Sequence, residues 1–136
     1  MNSKILIAMT LAGCVIQAHA DTKPVTQKLP SGVEVTHLKL GSGPKPTASN
    51  TVKVHYEGTL ANGTVFDSSY KRGEPVSFPL GGVIPCWTQG VQTMQVGGKA
   101  KLQCPAKTAY GATGAGGVIP PNADLTFTVE LLGIDL

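Results

Sequence analysis

Alternation of apolar and polar residues predicts most of the strands in this chain. Over Thr51–Thr59, apolar side chains at every second position alternate with Lys, His and Glu, a pattern typical of a strand with one buried face. Asn62-Gly63 predicts a tight hairpin turn that leads into Val65-Phe66. Further strands are predicted at Val33–Leu40, Val76–Leu80, Lys99–Cys104 and Leu125–Leu131.

One segment follows a helical period instead. Trp87, Val91 and Met94 lie at i, i+4 and i+7 and form one apolar stripe. Pro85 suits the first turn of a helix, where its missing N–H costs no hydrogen bond, and Gly97-Gly98 ends the segment. The chain is therefore predicted to be an α+β domain, in which roughly five antiparallel strands form a sheet with one central helix packed on its face.

The first twenty residues have a different composition. Met1–Lys4 is positively charged, Ile5–Ile16 is apolar apart from one threonine, and Ala18-His19-Ala20 has the small residues of a cleavage site. An apolar run of this length is too short for a bilayer core, which needs about 20 residues, but it fits a secretory signal peptide. We therefore predict a signal peptide at 1–20, cleaved between Ala20 and Asp21, a tether at 21–28 and a folded domain at 29–136.

The same segment also contains a rival signal. Leu11-Ala-Gly-Cys14 resembles a bacterial lipobox, in which Cys14 would be lipidated and become the mature N-terminus. Apolar sequence continues beyond this cysteine, which favours simple secretion, and an uncleaved anchor is a third alternative. All three alternatives place the domain outside the cytoplasm, either periplasmic or secreted.

Two cysteines remain in the folded part. An even number of cysteines in an oxidising compartment predicts one disulfide, and the alternative of two free buried thiols stays open. Cys86 lies at the start of the predicted helix, and Cys104 lies on the inward face of its strand, so the two are candidates to meet between helix and sheet. Two thiols without a histidine at ligand spacing do not form a zinc site, so no metal is predicted.

Composition and charge exclude several classes of function. The 136 residues make about one domain, and the net charge is +3 with no block of five like charges, so neither a nucleic-acid surface nor an anionic-membrane patch is predicted. No G-x-S-x-G nucleophile motif is present, and the glycine-rich run Gly111–Gly117 lacks the Gly-Lys-Ser/Thr ending of a phosphate-binding loop. No cofactor is predicted.

Aromatic residues are the remaining candidates for a site. Six of them come from separate segments, and each lies on a predicted inward face or beside a turn: Tyr56, Phe66, Phe78, Trp87, Tyr110 and Phe127. A hydrophobic core is the simpler interpretation of such a set. Asp67 directly follows Phe66, however, and a carboxylate at the edge of an apolar cluster needs a partner or a function.

Several ordered motifs together resemble the FKBP-type peptidyl-prolyl cis-trans isomerases. The resemblance extends from about Leu29 to Leu136, and it is carried by Val54–Leu60, Gly63–Ser69, Val83–Trp87, Ala109–Gly111 and Val118–Phe127. It implies an antiparallel, half-conical sheet wrapped around the short central helix, with the site between them. It also implies an isomerase that accelerates X-Pro bond rotation during extracytoplasmic protein folding, without covalent chemistry.

The resemblance also assigns site residues. Trp87 would be the floor of the pocket, the Ile84 N–H and the Tyr110 hydroxyl would bind substrate carbonyls, and Arg72 would steady Asp67. The implied catalytic group is Tyr56, Phe66, Asp67, Ile84, Trp87, Tyr110 and Phe127. The implied substrate-binding group is Arg72, Val76, Val83, Val118 and Ile119.

Some positions depart from the family pattern. Val76 stands where the family often has Phe, and Ala115 replaces a larger residue over the pocket. The implied partners are therefore proline-containing polypeptides first and macrolides such as tacrolimus and rapamycin second. The long N-terminal dimerisation helices of some secreted relatives are missing, so a monomer is expected. The rival hypothesis is a prolyl-peptide binding module or chaperone with little turnover, which a turnover assay would distinguish.

Overall fold

A computed structural model describes residues 24–135 of the chain. The predicted signal peptide, its cleavage site and Cys14 lie outside the described residues. Residues 24–135 form seven strands and two short α-helices. They are β1 (Val25–Lys28), β2 (Glu34–Lys39), β3 (Thr51–Leu60), β4 (Val65–Ser68), α1 (Ser69–Arg72), β5 (Val76–Pro79), α2 (Pro85–Val91), β6 (Lys99–Cys104) and β7 (Leu125–Asp135).

The strands form one antiparallel sheet in the order β1-β2-β6-β7-β3-β4. The two longest strands, β3 and β7, pair along their whole length, from Thr51 opposite Asp135 to Leu60 opposite Leu125. The free edge of β3 is shared, because β4 pairs with its C-terminal half and β5 with its N-terminal half. The prediction of an antiparallel sheet with one short helix on its face is confirmed.

Alternation along the central strands gives the sheet one buried face. Val52, Val54 and Tyr56 of β3 and the odd-numbered residues of β7 up to position 131 lie in the core, as the pattern predicts. Helix α2 packs against this face at Gly90, where an added Cβ would lie 3.0 Å from a methyl carbon of Leu102. The absence of a side chain at this position therefore lets α2 come close to β6.

The helix is shorter than its apolar stripe predicts. It ends at Val91, and the next backbone bonds run from Thr93 N–H to Gly90 O at 3.1 Å and from Met94 N–H to Val91 O at 3.0 Å, which is a tighter turn. Met94 is still buried. The periodicity correctly indicates which side chains enter the core, but it does not show where the α-helical hydrogen bonds stop.

Two further elements correct the sequence interpretation. Val25–Lys28, predicted as part of a tether, forms strand β1, whose four residues are all exposed and are held by backbone pairing with β2. A strand without a buried face has no hydrophobic period to detect. The polar stretch after Asp67 contains helix α1, which Ser68 caps by accepting a bond from Lys71 N–H and which ends at Gly73 with a φ of 79°.

Of the two alternatives for the cysteines, the structure shows the disulfide. Cys86 in the first turn of α2 is bonded to Cys104 at the end of β6, with the two Cα atoms 5.6 Å apart. This separation lies inside the limit of about 7 Å for a bridge. Both residues are buried, so the bond joins helix and sheet from within the core.

Within residues 24–135, no helix combines the length and apolar character needed to cross a membrane. In the same part of the chain, no three histidine, cysteine or acidic side chains lie close enough together to hold a metal ion.

We predict that replacing both Cys86 and Cys104 by alanine lowers the free energy of unfolding by about 3 kcal/mol, because the bond closes a loop whose entropy the unfolded chain would otherwise keep. Denaturant unfolding of the two proteins measures the difference. Thiol titration of the denatured, non-reduced protein is the chemical control. Two free thiols in protein recovered from an oxidising compartment would contradict the assignment.

Candidate active site

A cavity of about 470 Å³ lies between α2, the inner face of β3 and β7, and the loops beside them. Its wall is mostly aromatic and aliphatic, with one carboxylate. The lining residues are Tyr56, Phe66, Asp67, Phe78, Gly82, Val83, Ile84, Trp87, Tyr110 and Phe127. They come from strands, a helix and loops that are distant in sequence, so only the folded chain assembles the cavity.

Trp87 occupies the centre of the aromatic group. Its ring is nearly perpendicular to those of Tyr56, Phe78 and Phe127, with centroids 5.3, 5.4 and 5.4 Å away, the edge-to-face geometry that aromatic pairs prefer. The side chain is only 4% exposed, and within residues 24–135 its indole nitrogen is the one buried side-chain nitrogen or oxygen without a hydrogen-bond partner. The base of the cavity is therefore formed by closely packed aromatic rings.

Gly58 of β3 allows two of the aromatic rings to meet. An added Cβ would lie 2.5 Å from Cζ of Phe66 and 2.8 Å from Cε1 of Phe127, closer than real Cβ atoms approach. The Phe66 and Phe127 rings are perpendicular at 5.6 Å and close one side of the cavity. A larger residue at position 58 would push this wall apart.

Three polar side chains form a closed group at the rim. The Tyr56 hydroxyl donates to Oδ2 of Asp67, and Nη1 of Arg72 donates to Oδ1 at 2.6 Å. Nη2 of Arg72 also donates to the Tyr56 hydroxyl at 3.2 Å. Each carboxylate oxygen of Asp67 therefore has a donor.

The charges of this group follow from these contacts. Burial opposes ionisation of Asp67, but hydrogen bonds from Tyr56 and Arg72 and the nearby guanidinium charge hold the pKa of its carboxyl below the ordinary value. Burial and the bond to Asp67 raise the pKa of Tyr56 above its usual value of 10.0. Near neutral pH, Asp67 is an engaged carboxylate and Tyr56 a neutral phenol, so neither is suited to proton transfer.

Two hydrogen-bonding groups remain at the mouth of the cavity. Ile84 precedes α2, and its carbonyl accepts from Trp87 N–H at 2.9 Å and Thr88 N–H at 3.1 Å. Its own N–H forms no backbone hydrogen bond within residues 24–135. Tyr110 is 40% exposed and lines the cavity from the glycine-rich loop. In the described part of the chain, both groups are free to form hydrogen bonds with an extended peptide that lies across the opening.

The structure brings together all seven residues of the implied catalytic group, since each lines the cavity. Of the implied substrate-binding group, only Val83 does. Arg72 lies behind Asp67, and Val76 is paired with Val54 in the sheet. The positions of the remaining two, Val118 and Ile119, depend on the glycine-rich loop.

That loop turns sharply over the site. Ala115 and Ile119 exchange backbone hydrogen bonds of 2.9 and 3.0 Å, which bury Ile119 in the core and leave Val118 exposed at the surface. Gly114 has a φ of +68°, and a Cβ there would lie 2.3 Å from the Ile119 oxygen. Neither Val118 nor Ile119 is part of the cavity wall in this arrangement.

Two lining residues, Phe78 and Gly82, are absent from the site that the resemblance implies. Phe78 belongs to the inward aromatic set, so its period was a usable signal, and its ring contacts those of Tyr56 and Trp87 at 5.7 and 5.4 Å. Gly82 contributes backbone only, and no side-chain pattern could indicate it.

Comparisons with known proteins agree with this geometry. A family model described as FKBP-type peptidyl-prolyl cis-trans isomerase matches residues 43–132. An isomerase of this type from Aeromonas hydrophila, FkpA, is 58% identical over 105 residues, which are 77% of this chain and 39% of the relative. FK506-binding protein 1 of Dictyostelium discoideum is 55% identical over 103 residues, covering 74% of this chain and 96% of that protein.

A solved structure has the same fold. The crystal structure of a peptidyl-prolyl cis-trans isomerase from Pseudomonas syringae superposes with a TM-score of 0.77 at 40% identity, over 88% of this chain and 87% of that one. The chain thus spans nearly all of some relatives and well under half of the Aeromonas relative.

We predict that Asp67→Asn destabilises the protein by about 0.5–1 kcal/mol near neutral pH, a small value because Asp67 and Arg72 are 40% and 47% exposed. Since the pKa of Asp67 is lowered in the folded state, its contribution is present above the ordinary value of 3.8 and is lost as pH falls through the lowered pKa. Urea unfolding of wild type and variant across this range measures the difference.

Glu74→Gln, which removes another exposed carboxylate, is the matched control. A difference between wild type and Asp67→Asn that stayed constant down to about pH 2 would show that the stabilisation does not depend on the ionised carboxylate.

Proposed function

This chain belongs to the FKBP-type peptidyl-prolyl cis-trans isomerase family, and on that premise we propose that it catalyses rotation about X-Pro peptide bonds in other polypeptides. The observation that carries the proposal is the apolar cavity based on Trp87, in which three further aromatic rings stand at right angles to the indole. Such a cavity fits a prolyl ring, which is compact, apolar and without an N–H.

The physical task requires no nucleophile. A planar peptide bond resists rotation by about 18–20 kcal/mol because rotation breaks its resonance. A twisted amide has lost resonance and charge separation, so an apolar site that excludes water favours it relative to the planar ground state. Uncatalysed X-Pro isomerisation takes tens to hundreds of seconds, slow enough to limit protein folding.

Each part of the cavity has a role in this scheme. The Trp87 ring supports the prolyl ring, and Phe66 and Phe127 hold it from the side. The Ile84 N–H and the Tyr110 hydroxyl fix the flanking backbone carbonyls. The Tyr56–Asp67–Arg72 group keeps the Tyr56 ring in the wall and does not transfer a proton, because both Asp67 oxygens are engaged.

We further propose that the protein acts outside the cytoplasm as a folding helper. The basic start, apolar run and Ala-His-Ala site of residues 1–20 support this location, as does the buried disulfide, which persists in oxidising compartments. The mass of the mature protein, measured by mass spectrometry, distinguishes cleavage after Ala20 from lipidation at Cys14. A monomer remains a prediction, and sedimentation of the purified protein tests it.

Macrolide binding is a second proposed property of the cavity. One relative is named for binding FK506, and this chain shares 55% identity with it. Val76 is paired with Val54 in the sheet and does not line the cavity, so its small side chain does not change the cavity wall. Tacrolimus should therefore compete with prolyl substrates for the cavity.

We predict that the purified protein accelerates cis-to-trans conversion of a short X-Pro peptide and that tacrolimus inhibits this activity. A protease-coupled or NMR exchange assay measures the rate. Binding of the peptide without acceleration would instead support the alternative of a binding module or chaperone.

We predict that Trp87→Leu lowers kcat/KM by about tenfold or more, because leucine leaves less apolar surface under the prolyl ring. Val91→Ala is the matched control on the same helix, since Val91 is buried in the core and does not line the cavity. Unfolding curves must show that both variants are folded in the assay. Wild-type kcat/KM in folded Trp87→Leu would contradict the assignment of the site.

A further inference from the structure

A gap in the sheet lies directly behind the cavity wall. On the edge of β3 that faces away from β7, pairing with β4 ends at Glu57 opposite Ser68. Pairing with β5 begins at Val54 opposite Val76. His55 and Tyr56 lie between these two ladders and have no strand partner on that side. Helix α1 occupies the gap.

One buried hydroxyl replaces the missing strand. Ser69 is fully buried, and its Oγ accepts a hydrogen bond from Tyr56 N–H at 2.7 Å and lies 3.3 Å from the Tyr56 carbonyl oxygen. The same Oγ lies 2.8 Å from Nδ1 of His55. The hydroxyl has one proton, which it donates either to His55 Nδ1 or to the Tyr56 carbonyl oxygen; in the second case His55 Nδ1–H donates to the hydroxyl oxygen.

His55 also anchors α1 on the outer face of the sheet. Its ring stacks on Tyr70 with centroids 4.7 Å apart and planes 14° from parallel. The Tyr70 hydroxyl donates to Oε1 of Glu130, the residue opposite His55 on β7, at 2.9 Å. Burial and this bond raise the pKa of Tyr70 to about 12, so the hydroxyl stays a donor at physiological pH.

The other end of α1 reaches the cavity wall. Arg72, the last residue of the helix, donates to Asp67 at 2.6 Å and to the Tyr56 hydroxyl at 3.2 Å. A helix of four residues has no stability of its own, since isolated helices shorter than about 12–15 residues are marginal in water. The position of Arg72 therefore depends on the contacts that hold Ser69 and Tyr70.

We propose that His55 and Ser69 are positioning residues for the isomerase site: they hold α1 in the gap of the sheet, so that Arg72 keeps the Tyr56 hydroxyl and Asp67 in place. The proposal rests on the proposed function for its effect on turnover. Its structural part, the dependence of Arg72 on His55, can be measured without turnover.

Two substitutions at position 55 separate the hydrogen bond from the stacking. His55→Phe keeps a ring against Tyr70 and removes Nδ1, whereas His55→Asn keeps a hydrogen-bonding group near Ser69 and removes the ring. His37→Phe is the matched control, because β6 and β7 separate its strand β2 from β3. All three proteins are compared as full chains, with unfolding curves to establish that they are folded in the assay.

We predict that His55→Phe lowers kcat/KM by about three- to tenfold, the size expected for one lost hydrogen bond. His55→Asn should stay within about twofold of wild type, because it restores that bond. His37→Phe should match wild type. Wild-type kcat/KM in His55→Phe would overturn the proposal, whereas an equal loss in His55→Asn would support it and show that the stacking on Tyr70 also holds α1.

A double-mutant cycle tests the route of the effect. If His55 acts through Arg72, then His55→Phe should cause no further loss of kcat/KM in an Arg72→Met background, because the group it positions is already gone. Additive losses would show that His55 stabilises the domain in general and does not position Arg72.

NMR separates this proposal from the proposed function. The Arg72 guanidinium N–H resonances should move in His55→Phe and stay unchanged in His37→Phe. If wild type shows no turnover but these resonances move, the isomerase function fails and the positioning stands. If they do not move, the positioning is wrong whatever the turnover.

Discussion

Helix α2 has seven residues, and a helix of that length is not stable in water without partners. Its contact with the sheet is therefore the interaction on which the site depends. Three features of the sequence secure this contact: Gly90 admits Leu102 closely, Cys86 is bonded to Cys104, and the Trp87 ring fits among perpendicular aromatic rings. Without the helix in this position, the cavity would lose its base. The Ile84 N–H would also no longer lie at the mouth.

In the proposed function, the cavity acts mainly by excluding water and less by donating hydrogen bonds. Its one carboxylate is engaged by Tyr56 and Arg72, and the indole N–H at its base has no acceptor within the described residues. Such an arrangement is poor for general acid–base chemistry, which needs a titratable group with a free proton position. It is well suited to a reaction whose transition state is less polar than its ground state, as amide rotation is.

The polar group at the rim is also supported from outside the cavity. Tyr56 faces the cavity, and its neighbour His55 faces the opposite side of the sheet, because successive side chains of a strand alternate. Helix α1 lies at the strand edge and contacts both faces, through Tyr70 on one and Arg72 on the other. Between β4 and β5 the edge of β3 has no strand partner among the described residues. Helix α1 binds there through Ser69 and thereby carries Arg72 to the rim of the cavity.

The sequence by itself determined the strands with one buried face, the start of α2 and the aromatic residues that point inward, because burial on one side leaves a regular period in the chain. It also determined the family and eight residues of the cavity wall, since several motifs occur in order. Only the tertiary structure decided the elements without such a period: β1, with four exposed residues held by backbone bonds, and α1, held by Ser69 in a gap of the sheet. It likewise decided that Val118 and Ile119 leave the wall and that Gly82 joins it. Those positions depend on backbone turns and long-range contacts, which the order of side chains along the chain does not encode locally.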